Sequence, residues 1–519
     1  MTDKDTMEIF EKAPVPTAVL KNTVPAMVAM MMVLVYNLAD TFFIGQTHND
    51  ILVAAVSLAT PVFLIFMAVG TIFGAGGTSV ISRAFGQGRE EYAKKVCSFC
   101  MWSCVIVGLV LMTGFLLFMK PLLNLIGASA DTWEPAKTYL IIVALSGPFV
   151  LISNCFSNIL RAEGRSGKAM FGQVLGNLLN IVLDPILILV FDWGIAGAAL
   201  ATVIGNLAGA GYYISYFLRG QSALSINIWD FSVKQGICRG VLAIGIPASL
   251  GSLLMSISQI IVNAQMANYD DMALAGIGVA MKVTMMTGMI CIGFGQGVQP
   301  LLGYCVGAGL WERFQKNMRF SLGVALGLSV VMTGLCYLFH EQIVGVFLTE
   351  AAAFDYAVQF TNILLSTSFL FGVFFVLCNA LQAMGAAVPA FVTNLSRQGL
   401  IYIPALFILQ AAYGVTGLAW AQPAADLLST VLVLALYLWT LSKQKNTCAI
   451  LFFSIVNPFS QLHTHFLSVR QLLRKLRPQF NAVFLKQKHN GGTGQLKMTF
   501  FHTFAKACVL ASVKNTAHN

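Results

Sequence analysis

The feature that most constrains this chain is a series of twelve long apolar runs, at 23–45, 55–81, 97–118, 134–160, 170–190, 195–219, 241–266, 275–302, 318–339, 358–382, 391–411 and 415–441. About 20 apolar residues, at about 1.5 Å rise each, cross a bilayer core of about 30 Å. A backbone in hydrocarbon must satisfy its own hydrogen bonds, so such runs are helices. A β-barrel would alternate polar and apolar residues in segments of about ten, and these runs do not. Only 10% of the 519 residues are charged and 57% are hydrophobic, with a mean hydropathy of +0.77. A soluble protein carries about 25% charged residues, so a large soluble globule is excluded. The chain is also too apolar for disorder.

Charge orients the runs. With the N-terminus inside, the inner flanks hold 18 Lys and Arg, and the outer flanks only Lys120 and Lys137. The bias of basic residues toward the cytoplasm places both ends of the twelve-helix body there. The net charge of +10 has a different origin. From Asn446 onward there are nine bases and no acid, and without them 22 bases face 21 acids. The body therefore makes no case for nucleic-acid binding. The segment 446–519 has two apolar patches, 448–456 and 498–513, each too short to span. It reads as a basic, poorly ordered appendage with no role in the work of the twelve-helix body.

The body repeats itself. A shift of 221 lays Gly86-Gln-Gly88 on Gly307-Ala-Gly309, and Asn158-Ile-Leu-Arg-Ala-Glu-Gly164 on Asn379-Ala-Leu-Gln-Ala-Met-Gly385; a shift of 222 lays Pro25 on Pro247. Six helices per copy is an even number, so both copies enter the membrane the same way up. The expectation is an all-α polytopic membrane protein of twelve transmembrane helices in two parallel six-helix repeats. Its parts are an N-terminal lobe 1–218, a cytoplasmic linker 219–240, a C-terminal lobe 241–445 and the appendage. Repeats of this kind build transporters with a substrate site between the halves.

Three carboxylates lie inside predicted spans: Asp40, Asp184 and Asp426. An intramembrane carboxylate costs several kcal/mol and marks a functional candidate. Asp40, Asp184 and Thr202 lie at about 8, 9 and 10 Å from the outer helix ends, counted at about 1.5 Å per residue. Two carboxylates in one layer can share a proton. They can equally hold a hard monovalent cation among neutral oxygens. Such oxygens lie nearby: Gln173, Asn177, Asn180 and Asp184, spaced 4, 3 and 4, fall on one face of the fifth helix. Pro185 follows the Asp and frees a backbone carbonyl. Tyr36 lies one turn before Asp40, with Pro25 lower on the same helix. Packing of helices by hydrogen bonds is the plainer reading of the stripe. For Asp426, one turn after Gln422, a structural pair and a snorkelling carboxylate stand beside a functional role.

Other chemistry is not supported. The eleven Cys are scattered through apolar runs, where Cys packs as a small hydrophobe. Gly164-Arg-Ser-Gly167-Lys168 has Ala162 and Ala169 where a phosphate-binding loop needs Gly and Ser or Thr, so ATP is not expected. No nucleophile–base pair or metal motif stands out. An enzyme is not expected, nor is a cofactor, nor any metal beyond a possible Na⁺.

The segments NLADTFFIG at 37–45, ISRAFGQG at 81–88, LRAEG at 160–164, NIVLDP at 180–185 and GIAGAALAT at 194–202, set in two parallel sixes, resemble the multidrug and toxic compound extrusion (MATE) family in its DinF-type branch. The resemblance covers about 1–445. It implies export of organic cations and amphiphiles, driven by Na⁺ or H⁺, from the bacterial inner membrane, by a monomer. It further implies that Asp40, Asn180, Asp184 and Thr202 form the coupling-ion site. Around it, Tyr36, Tyr139 and Asn154 or Asn158 form a network with Gln173 and Asn177 along the substrate cavity, and Pro25 marks a bend. The family's other branch has acids in helices 7 and 10, where this chain has Gln259, Asn263, Asn379 and Gln382. A lipid-linked saccharide flippase of the same superfamily is the alternative. It would need several intramembrane bases for a pyrophosphate, and only Lys282 and Arg397 lie clearly within spans.

Overall fold

The computed structural model describes residues 9–46, 50–126, 128–129, 131–348 and 350–456. All regular structure among them is helical. Ten helices are long and apolar enough to cross a bilayer, and the pair Trp133–Leu145 and Gly147–Ala162, bent by 53°, makes eleven. The helical stretch that follows Ala387 breaks at Gly414 (φ 61°, ψ −135°), a conformation that only Gly adopts freely, and this break separates the eleventh span from the twelfth.

In chain order, span 1 is Val15–Gly45, span 2 Asp50–Gly86, span 3 Glu90–Leu117 and span 4 the bent pair. Span 5 is Ser166–Pro185 with a π-turn, Ile186–Val190, directly after the proline, and span 6 is Gly194–Leu218. Spans 7, 8 and 9 are Ile237–Ala267, Asp271–Gly307 and Trp311–Leu338. Span 10 joins Ala351–Leu365 to Phe371–Ala383, and span 11 joins Ala387–Leu395 to a π-turn at Ser396–Leu400 and on to Gly414. Span 12 is the remainder of Tyr402–Val456.

The repeat seen in the sequence is carried into the geometry. Spans 2 and 8 both have 37 residues and spans 3 and 9 both have 28, each pair offset by 221. The short helices that follow, Met119–Leu125 and His340–Phe347, begin at the same offset. Span 4 breaks at Ser146 and span 10 at Thr367, again 221 apart. Spans 4, 10 and 11, each one continuous apolar run in the sequence, are interrupted where Pro148, the Ser366-Thr367-Ser368 run and the π-turn break the regular hydrogen-bond ladder. Span 1 runs as one helix through Pro25.

The halves approach backbone to backbone at several crossings, one of them at the end of the bundle that carries the turns between spans 2 and 3 and between 8 and 9. There span 2 crosses span 8 backbone to backbone. A Cβ at Gly86 would collide with the Tyr304 carbonyl, and one at Gly307 with the Arg83 carbonyl. Arg83 Nη1 donates to the Ser79 hydroxyl at 2.9 Å and across the halves to the Ala383 carbonyl at 3.2 Å. Ser79 also donates to the Gln382 carbonyl.

Contacts divide the chain into a compact unit Met1–Leu441 and a second unit from Ser442. The last helix continues to Val456, eleven residues beyond the sequence-expected end at Lys445. The rest of the appendage, 457–519, lies outside the described residues.

Candidate ion and substrate site

The first half gathers most of the residues singled out from sequence into one cluster. Asp184 is fully buried at 0% exposure, with Asn180 at 3% and Thr202 at 4%. The orientation of the Asn180 amide that pairs both of its atoms has its nitrogen donating to Asp184 Oδ2 at 3.0 Å. Its oxygen then accepts from Thr202 N–H at 3.0 Å and from the Thr202 hydroxyl at 3.3 Å. The other carboxylate oxygen, Asp184 Oδ1, is buried with no hydrogen-bond partner among the described residues. Asp40 lies within electrostatic reach of Asp184. Tyr36 and Tyr139 both lie within electrostatic reach of the two carboxylates. Among the described residues neither carboxylate has a salt bridge.

The helices explain the convergence. The Asn180–Asp184 step is one turn of span 5, and Gly176 and Gly205 sit where spans 5 and 6 touch: a Cβ at Gly176 would come within 2.7 Å of the Gly205 carbonyl. That close approach brings Thr202 against Asn180. The arrangement offers one bare carboxylate oxygen, a second carboxylate, a hydroxyl and an amide, with no resident counter-charge. A buried anion without a base either takes a proton or binds a hard cation.

The remaining sequence candidates form a second cluster, lower on the same stripe. Gln173 and Asn158 do not join the carboxylates. Arg161, 1% exposed, donates to Asn158 Oδ1 at 2.9 Å, to Gln173 Oε1 at 3.4 Å and, across the halves, to Gln296 Oε1 at 2.7 Å. Asn158 Nδ2 donates to the Asn154 carbonyl at 2.9 Å, and Asn154 Nδ2 to the Met67 carbonyl at 3.4 Å. Asn177 Nδ2 is buried with no hydrogen-bond partner among the described residues. Sequence reasoning counted Arg161 as a flanking charge just past the end of a span. The signal that could have placed it is the spacing Asn154, Asn158, Arg161, steps of 4 and 3 that put all three on one helix face.

In the second half, Asp426 is 1% exposed and paired. Arg397 Nε donates to Asp426 Oδ1 at 2.7 Å, Gln422 Nε2 to the same oxygen at 2.9 Å, and Thr367 Oγ1 to Oδ2 at 3.5 Å. Of the readings open for Asp426, the structural pair is the observed one, and the snorkelling carboxylate is set aside.

The comparisons with known proteins agree with this architecture. The family model MatE matches residues 25–186 and 247–439. The multidrug export protein MepA of Staphylococcus aureus (strain NCTC 8325 / PS 47) is 32% identical over 419 residues, covering 80% of this chain and 92% of the relative. MepA of Staphylococcus saprophyticus is 28% identical over 421 residues, with the same coverage. Among solved structures, MATE in its straight conformation superposes with a TM-score of 0.79 at 23% identity, covering 85% of this chain and 98% of that one. An outward-facing multidrug resistance MATE family transporter of the MOP superfamily gives 0.78 at 23% identity, over 82% and 95%.

Proposed function

The chain belongs to the MatE family of integral membrane transporters, and from that premise we propose that it exports amphiphilic or cationic small molecules by antiport against Na⁺ or H⁺. The name of the S. aureus relative, a multidrug export protein, supports the substrate class. The observation that carries the coupling is the bare, buried Asp184 Oδ1 beside Asp40. A buried anion with an unfilled ligand position is a site for a charge that comes and goes. Asp40, Asn180, Asp184 and Thr202 bind the cation; Tyr36, Tyr139, Asn154, Asn158, Gln173 and Asn177 line the path of the substrate; Pro25 and Pro185 adapt their helices as the halves move.

The positive-inside bias puts the turns after spans 2 and 8 in the cytoplasm of a bacterial cell. The glycine crossing at Gly86 and Gly307 then closes the cytoplasmic side, which supports an outward-facing conformation. A cation bound from outside favours rearrangement, the halves part at that crossing, and substrate enters the cavity between lobes 1–218 and 241–445. One charge moving inward down 100 mV releases about 2.3 kcal/mol, enough for tens-fold accumulation. No cofactor or ATP enters this scheme, and one chain holds the whole site.

Two charged groups favour keeping the flippase alternative in the test, since Arg161 and Arg83 join Lys282 and Arg397 in or near the spans. Arg161, however, is already engaged by three side-chain amides, and Arg83 Nη1 by the Ser79 hydroxyl and backbone carbonyls, so each is held in place by protein groups. The test is uptake of a fluorescent organic cation by everted vesicles, with a Na⁺ or H⁺ gradient directed out of the lumen, imposed one at a time. Uptake driven by either gradient supports the reading. Uptake indifferent to both overturns it.

A further inference from the structure

The second half contains a cation site that already has an occupant. Asp426 is almost fully buried and would need a counter-charge in hydrocarbon. The chain supplies one: the Arg397 guanidinium, whose side chain is 11% exposed, bonds Asp426 through Nε at 2.7 Å. Its Cζ lies 4.5 Å from the ring centre of Phe371, 5.2 Å from Phe374 and 5.1 Å from Phe375. These rings sit at i, i+3 and i+4 of span 10 and so share one helix face. A carboxylate at one edge and aromatic faces around a planar cation is the chemistry that recognises organic cations. Gln422 and Thr367 complete the carboxylate's hydrogen bonds.

The repeat shows what differs between the halves. Offsets of 220 and 221 carry Gln422 onto Thr202, Arg397 onto Asn177 and Thr367 onto Ser146. The carboxylates themselves do not correspond, since the offset of 220 carries Asp426 onto Asn206 and Asp184 onto Pro404. In the first half a buried carboxylate oxygen has no hydrogen-bond partner among the described residues; in the second a tethered guanidinium pairs the carboxylate.

We infer that Asp426 with Phe371, Phe374 and Phe375 forms a binding site for small planar organic cations of the guanidinium class, which this chain keeps filled with its own Arg397. The site stands independently of the Asp40–Asp184 reading. Because its occupant is covalently held, the second half exchanges no ion of its own during transport.

Arg397→Ala removes from the side chain the atoms of ethylguanidinium. The experiment measures the thermal midpoint of the purified full chain in detergent, with ethylguanidinium titrated through the low millimolar range. The uncharged isostere ethylurea serves as control. Arg397→Ala is expected to melt several degrees below the parent and to regain at least half of that loss, saturably, with ethylguanidinium but not ethylurea. The parent and the double variant Arg397→Ala/Asp426→Asn are expected not to respond. Arg397→Ser, which empties the same space, is read in parallel as a second background should the alanine variant fold poorly. Equal recovery with ethylurea, equal recovery in the double variant, or no saturable recovery in either background would overturn the inference. The readout is binding rather than efflux, so it can fail while the coupling site holds, and the reverse.

Discussion

At the level of single residues, the three intramembrane carboxylates have two different environments, and this sets what each substitution does. Asp184 and Asp40 lie within electrostatic reach of each other, and among the described residues neither has a salt bridge. Asn180→Ala and Thr202→Ala remove one neutral ligand each, so each should weaken apparent cation affinity about tenfold, the value of a hydrogen bond to a charged group, with less effect on the maximal rate; a titration of efflux against Na⁺ or pH checks this. Asp426→Asn should act on stability instead. It leaves the Arg397 guanidinium buried without its counter-charge, an effect of about 3–5 kcal/mol. A marked drop in melting temperature or in protein level, with the ion requirement unchanged, is the expected result. That pair was not legible in the sequence. Arg397 and Asp426 stand 29 residues apart on different spans, and no periodicity links them. The grouping of Asp40, Asp184 and Thr202 was legible from their common depth on three spans, and Asn180 from its place one turn before Asp184 on the same helix face. Arg161 was misjudged for the opposite reason: a charge at a helix end looks solvated until the partner half is seen to cover it.

At the level of elements, twelve apolar runs read correctly as spans, but their internal breaks did not show. Hydropathy averages over the backbone, whereas the 53° bend between Leu145 and Gly147 and the π-turns after Pro185 and at Ser396–Leu400 depend on single hydrogen bonds. The crossing of spans 2 and 8 is an element-level device with its own test. Gly86→Ala or Gly307→Ala inserts a methyl group where the partner's backbone passes. Each should destabilise the closed crossing by about 1–3 kcal/mol. A cysteine placed in this turn, in a background freed of native cysteines, should then become more reactive to a thiol reagent added from the cytoplasmic side. Unchanged reactivity would mean the crossing is not the cytoplasmic gate.

At the level of the whole molecule, the duplication organises everything else. The equal lengths of spans 2 and 8 and of spans 3 and 9 show that the repeat persists in backbone geometry where side chains have diverged. The halves are alike as scaffolds and unlike as sites, one with a vacant carboxylate oxygen and one with its cation built in. Removal of the chain after Val456 should leave expression and efflux within about twofold of the parent, since the remaining apolar patch is too short to span; immunoblot and vesicle uptake check this together. The central claim is that the Asp40–Asp184 pair couples cation entry to export. The most direct measurement is gradient-driven uptake into everted vesicles by Asp184→Asn, Asp40→Asn and the double variant, with matched protein levels. Both single variants should lose uphill accumulation by about tenfold or more, and the double should be no worse than either, because residues that act as one unit are not additive. Uphill accumulation retained in Asp184→Asn at the parent's level would contradict the account.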